Sequence, residues 1–108
     1  MRVVLADAAR ADLRGIDEWI ARDSQRRAAS FVSELVGRCQ SLAAQSSRYP
    51  VAVTVGGRPI RRCVHGAYLI FFEIERSSAI VRILRIVHGA RDYADLLGAD
   101  EGVEGDDG

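Results

Sequence analysis

The chain has 108 residues, 48% hydrophobic and 28% charged, with a formal net charge of zero. That length supports one modest core, and the composition is that of globular protein rather than of a disordered or fibrous chain. No apolar run reaches the roughly 20 residues that a membrane span requires, and MRVVLADAAR has neither the apolar length nor the small-residue cleavage site of a signal peptide.

Residues 2–5, RVVL, are short and rich in β-branched side chains, which predicts a first strand. Asp7 follows as a candidate cap for a helix over 8–22. Ala9, Leu13, Ile16 and Ile20 recur there at helical spacing, with Trp19 beside them. Ser24 is the next candidate cap, and Ala28, Phe31, Val32, Leu35, Cys39 and Leu42 form the apolar stripe of a second helix over 25–45. Gly37 weakens that helix by about 1 kcal/mol relative to Ala without breaking the stripe. The short break at RDSQ makes the two helices an antiparallel hairpin.

Residues 46–58, SSRYPVAVTVGGR, are expected to be mainly a loop, with VAVTV as its one strand-like stretch. Three strands are predicted after it: PIRRCV (59–64), AYLIFFEIE (67–75) and AIVRILRIV (79–87), joined by turns at HG and RSS. The middle strand is apolar on both faces, so both faces of the sheet must be covered. A short helix over 90–97 places Tyr93, Ala94 and Leu97 on one side. The fold class is therefore α+β, in the order β-α-α-β-β-β-α. A helical hairpin packs on a mainly antiparallel sheet, and a short C-terminal helix lies near the sheet's other face or edge.

Residues 1–97 are expected to be a single domain. Residues 98–108, GADEGVEGDDG, hold five acids and almost nothing to bury, which predicts a disordered tail. Without them, ten acids face fifteen bases in residues 1–97, all of them Arg. A basic domain favours acidic partners, and guanidinium groups suit bidentate contacts to carboxylate or phosphate. Arg10, Arg14, Arg22, Arg26, Arg27 and Arg38 fall on polar helix faces. Arg82 and Arg85 are three apart, so they share a face only if a bulge intervenes; Glu73, Glu75 and Asp92 are candidate partners for Arg85. Cys39 and Cys63 lack metal-ligand spacing and are read as buried thiols of a cytoplasmic protein. No metal or other cofactor is expected.

Three stretches in order resemble the ParE branch of the RelE/ParE toxin superfamily. ADAARADLRGIDEWIA resembles its Ala-x-x-Asp-Leu-x-x-Ile-x-x-[Tyr/Trp]-Ile pattern, and AASFVSEL the start of its second helix. RRCVHGAYLIFFEIERSSAIVRILRIVHGARDY resembles its Arg-x-x-x-x-x-Tyr-x-[Ile/Val]-x-[Phe/Tyr] and Arg-[Ile/Val]-x-His-Gly-x-Arg-Asp signatures. The resemblance implies the toxin of a type II toxin–antitoxin module, neutralised by a cognate antitoxin whose flexible C-terminal segment masks it. ParE-like members inhibit DNA gyrase; RelE-like members cut mRNA on the ribosome.

RNA cleavage through the 2′-hydroxyl needs a base, an acid and cations for the developing phosphate charge. The resemblance supplies cations at Arg61 or Arg62, Arg85 and Arg91. It implies lysines or a Glu before the second strand in ribonuclease members, and residues 46–58 contain neither. Six residues beyond Arg91, where such members tend to have Tyr or His, stands Leu97. His88 is read as satisfying the turn that ends the last strand, His65 as an exposed hairpin residue without a role, and Tyr68 as sheet packing. The expectation is thus a non-catalytic toxin that binds its target through Arg61, Arg62, Arg85, Arg91 and Tyr93. The alternatives are a ribosome-dependent endoribonuclease using Arg61, Arg85, His88 and Arg91, and a decayed toxin that keeps only antitoxin binding. Neither a membrane nor sequence-specific DNA is expected as a partner.

Overall fold

The computed structural model describes residues 1–89 and 93–98. Chain order is β1 (Arg2–Leu5), α1 (Asp7–Ala21), α2 (Gln25–Gln45), a 3₁₀ turn (Ser46–Arg48), β2 (Val51–Val55), β3 (Arg58–His65), β4 (Tyr68–Glu75), β5 (Ile80–His88) and α3 (Tyr93–Leu97). One five-stranded sheet runs β1-β5-β4-β3-β2. β1 is parallel to β5, and every other pair is antiparallel.

The two helices form where the apolar stripes place them, but their starts differ in mechanism. Ser24 caps α2, its side chain accepting the amide of Arg27. Asp7 does not cap α1: it is the first helical residue, and Ala6 stands at the cap without a side-chain hydrogen bond. The amide of Ala6 instead donates to the carbonyl of Ile83 on β5. The sheet thus satisfies one of the amides that lack a partner at this helix start, and Asp7 is left in the first turn, where its charge complements the helix dipole.

A second correction concerns residues 51–55, expected as loop and found as β2. The stretch VAVTV pairs antiparallel with β3 through Gly56-Gly57, whose φ angles are +56° and +77°. Two consecutive positive φ values are what a two-residue hairpin of the primed type needs, and they suit glycine. Tyr49-Pro50 only delays the strand: Pro50 still accepts the amide of Arg62 through its carbonyl.

The helical hairpin covers one face of the sheet. Ala9, Ile16, Leu35, Cys39 and Leu42 meet Cys63, Ile70, Phe72, Val81, Ile83 and Ile86 there. On the second face Ile60, Leu69, Phe71 and Val87 form a smaller cluster, against which Tyr93, Leu96 and Leu97 pack. Phe71 and Phe72 are adjacent in sequence and both fully buried, which requires cover on both sides of β4. The last helix therefore lies on the second face. Residues 90–92 and 99–108 fall outside the described residues, so the expected acidic tail, Arg91 and Asp92 receive no structural account. Among the described residues no helix is long and apolar enough to cross a membrane.

Candidate interaction surface

β5 carries the centre of the arginine problem, because a regular strand would turn Arg85 toward the helical core. The strand is not regular. Phe71 pairs with Arg85 and Phe72 with Ile83, so Leu84 is an extra residue in a bulge. Ile83 and Ile86, three apart, consequently both enter the core beneath the helices, while Leu84 and Val87 both join the second-face cluster.

The bulge lies where β5 loses its outer neighbour. Register with β1 ends at Leu5↔Ile83, and beyond that point the strand edge faces α1 rather than another strand. Asp12 of α1 fills the gap. Its carboxylate accepts Arg85 Nε at 2.8 Å, Arg85 Nη2 at 2.9 Å and the backbone amide of Ile86 at 2.8 Å. The side chains of Arg85 and Asp12 are only 23% and 13% exposed. Asp12 further raises the pKa of Arg85 by hydrogen bonding and charge, outweighing desolvation. Among the described residues the partner of Arg85 is thus a helical acid, not Glu73 or Glu75, while Asp92 lies outside them.

Those two glutamates serve other arginines. Arg58 donates to Glu73 at 2.6 Å, and Arg82 donates to Glu75 through Nε at 2.7 Å and Nη2 at 3.3 Å. Glu73 is buried, so its charge needs the Arg58 partner. The hydrogen bond from Arg82, with that from Ser78 and the nearby Arg58, holds the Glu75 carboxyl below its ordinary pKa.

Arg61 and Arg62 are adjacent on β3 and so alternate between faces. Arg61 pairs opposite Phe72, and its guanidinium donates to the carbonyl of Tyr49 at 2.5 Å. Arg62 pairs opposite Phe71, and its Nη1 lies 3.4 Å from the Tyr93 hydroxyl. The Tyr93 ring sits 4.8 Å from that of Phe71, tilted by 34°. The structure therefore brings Arg62 and Tyr93 together on the second face, and does not bring Arg61 or Arg85 to them.

His65, Tyr68 and His88 stand opposite one another across β3, β4 and β5. His88 is exposed, and its ring meets that of Tyr68 edge-on at 5.6 Å. His65 is not the exposed hairpin residue expected from sequence. Its side chain is 19% exposed, with Nε2 3.6 Å from Glu34 and the ring against Phe31. The turn is tight, but α2 lies over it, and this long-range cover leaves no local signal. Tyr68 packs against Phe31 and the main core, as sheet packing implies. Gly89 ends the strand by donating its amide to the carbonyl of Ala67 at 2.8 Å.

A second surface went unmarked in the sequence. Trp19, which flanks the stripe of α1, is 63% exposed, with the Arg22 guanidinium 4.9 Å from its ring centroid. Beside it an open groove is lined by Ile20, Arg26, Arg27, Ser30, Phe31 and Glu34. Exposed tryptophan beside arginine is the composition of an interface hot spot. The signal was present in WIARDSQRR, as an aromatic residue followed by three arginines.

Both cysteines are fully buried and unpaired. Burial, and to a lesser degree Cys63, pushes the Cys39 thiol up to about 11. Among the described residues no group of three or more His, Cys, Asp or Glu is placed to hold a metal ion.

Residues 3–93 match the family model described as ParE toxin of type II toxin-antitoxin system, parDE. The fold is similar to that of a chain of the chromosomal ParDE toxin–antitoxin system of P. aeruginosa, with TM-score 0.66 and 19% identity, covering 82% of this chain and 95% of that one. It is also similar to a chain of the toxin–antitoxin complex RelBE2 of Mycobacterium tuberculosis, with TM-score 0.61 and 20% identity, covering 83% and 92%. A search of curated proteins finds no match.

Proposed function

Since the chain belongs to the ParE toxin family of type II toxin–antitoxin systems, we propose that it arrests growth by binding and inhibiting a cytoplasmic target, with DNA gyrase as the target, rather than by cutting RNA. The observation that carries this reading is the state of Asp12. It is the carboxylate beside Arg85, and three N–H groups occupy three of its roughly four acceptor positions. A carboxylate so engaged is a poor acceptor for the proton of a 2′-hydroxyl, and the guanidinium it neutralises is no longer free for a phosphate. Arg85 thus belongs to the scaffold. Contact with the target falls to the second face, where Arg62 and Tyr93 converge, and Arg91, two residues before Tyr93 in sequence, is the further cation that the resemblance implies for it.

Neutralisation by an antitoxin uses the other side of the molecule. The hairpin groove offers Ile20 and Phe31 to apolar anchors, and Arg22, Arg26 and Arg27 to acids. An acidic amphipathic segment laid in that groove satisfies both.

Purified protein added to gyrase supercoiling reactions and, separately, to ribosomes programmed with mRNA tests the reading. Dose-dependent loss of supercoiling with intact mRNA is expected. Cleavage of mRNA at the ribosomal A site would replace this reading with the ribonuclease one, and inactivity in both assays would replace it with a toxin that only binds antitoxin.

A further inference from the structure

We propose that Asp12 is a positioning residue: by holding Arg85 and the Ile86 amide at the Leu84 bulge, it sets the phase in which residues 86–88 continue the sheet beside β4, and so which side chains support α3. In uninterrupted alternation Ile83 and Ile86 would point to opposite faces, as would Leu84 and Val87. Both pairs instead share a face, Ile83 and Ile86 under the helices, Leu84 and Val87 under α3. A one-residue slip of this kind exchanges every later side chain between faces. It decides that His88 meets Tyr68 and that Val87 supports the cluster on which Tyr93 sits.

The apolar residues do not select this phase on their own. Ile83, Leu84, Ile86 and Val87 give both faces similar hydrophobic character in either register. What differs is Arg85 and one amide. The regular register would send the guanidinium toward the helical core, whereas in the bulge it meets a carboxylate at 2.8 and 2.9 Å. The Ile86 amide, on the side of β5 that β1 no longer covers, obtains from the same carboxylate the acceptor that a neighbouring strand would otherwise supply. Seventy-three residues separate Asp12 from Arg85, so the clamp forms only once α1 is docked on the strand.

The test uses the full chain with Asp12→Ala, and Asp12→Asn as the milder second variant. Amide exchange and ring contacts are followed by NMR with and without sodium formate, a carboxylate small enough for the vacated site. Exchange of the Ile86 amide is expected to accelerate about 100-fold while amides of the α2 core stay protected. The Tyr68–His88 and Phe71–Tyr93 ring contacts should weaken, and formate should restore both. A merely stabilising ion pair would speed exchange evenly and leave the ring contacts in place, and that result overturns the proposal. These readouts stand independently of the toxin reading. The consequence for activity, a loss of gyrase inhibition parallel to the loss of the ring contacts, rests on that reading. Altered contacts with undiminished inhibition would leave Asp12 as positioning residue and remove α3 as the contact surface.

Discussion

Asp12 on the first helix and Arg85 on the last strand form a two-point pair that also takes up the backbone amide of Ile86. Asp12 lies in the first of the three stretches by which the sequence resembles its family, and Arg85 in the last. Their meeting gives a physical reason for both residues.

Breaking this pair from one side leaves a partly buried charge without its partner. Asp12→Ala and Arg85→Ala should each lower unfolding free energy by about 3 kcal/mol. The double variant should cost less than the two combined, with a coupling of about 1–3 kcal/mol. Urea denaturation of the four proteins measures the cycle; strictly additive losses would show that the two residues act separately.

Ala79 closes the turn between β4 and β5 with φ of +56°, a left-handed conformation at a residue with a Cβ. Its amide donates to the Arg76 carbonyl, so the turn holds it there. Ala79→Gly relieves the steric clash and should raise stability by about 1 kcal/mol, seen as a higher denaturation midpoint with an unchanged slope.

The Cys39 thiol, at about 11 in the fold, titrates well above a free cysteine because burial disfavours the thiolate. The folded state holds the proton more tightly, so the stabilisation is full below roughly pH 9 and is lost as pH rises toward 11. Stability measured across that window should fall more steeply for the native chain than for Cys39→Ala, by about 2 kcal/mol at its upper end. At neutral pH the thiol should react with iodoacetamide only after unfolding.

Charge reversal in the hairpin groove tests antitoxin docking. Arg26→Glu with Arg27→Glu should weaken antitoxin binding at least about tenfold and flatten its salt dependence. Both residues are exposed, so the melting temperature should change little. Calorimetry of the purified pair, at two ionic strengths, reads both effects.

The helices were legible because their stripes are long and Ser24 marks the second start; β3, β4 and β5 were legible because short turns separate apolar runs. β2 is strand-like in composition but not decided locally, because Pro50 and two glycines bracket five residues, and only the pairing with β3 makes a strand of them. The candidate site was less legible. The resemblance groups Arg61 or Arg62 with Arg85 and Arg91, whereas the residues that lie side by side are Arg62 and Tyr93. The fate of Arg85 depended on a bulge and on an acid far away in sequence, and strand alternation carries no trace of either. Asp12 is the Asp of the Asp-Leu pattern in the first family-like stretch, but nothing local in that stretch says that its partner is Arg85.

The proposed contact of the second face with gyrase stands or falls on Arg62. A titration of gyrase supercoiling with the native protein and with Arg62→Ala, beside matched melting curves, measures its part. The dose giving half inhibition should rise at least about tenfold, equivalent to roughly 1.4 kcal/mol of binding, with the melting temperature preserved. Equal inhibition by the two proteins would show that the second face is not the contact.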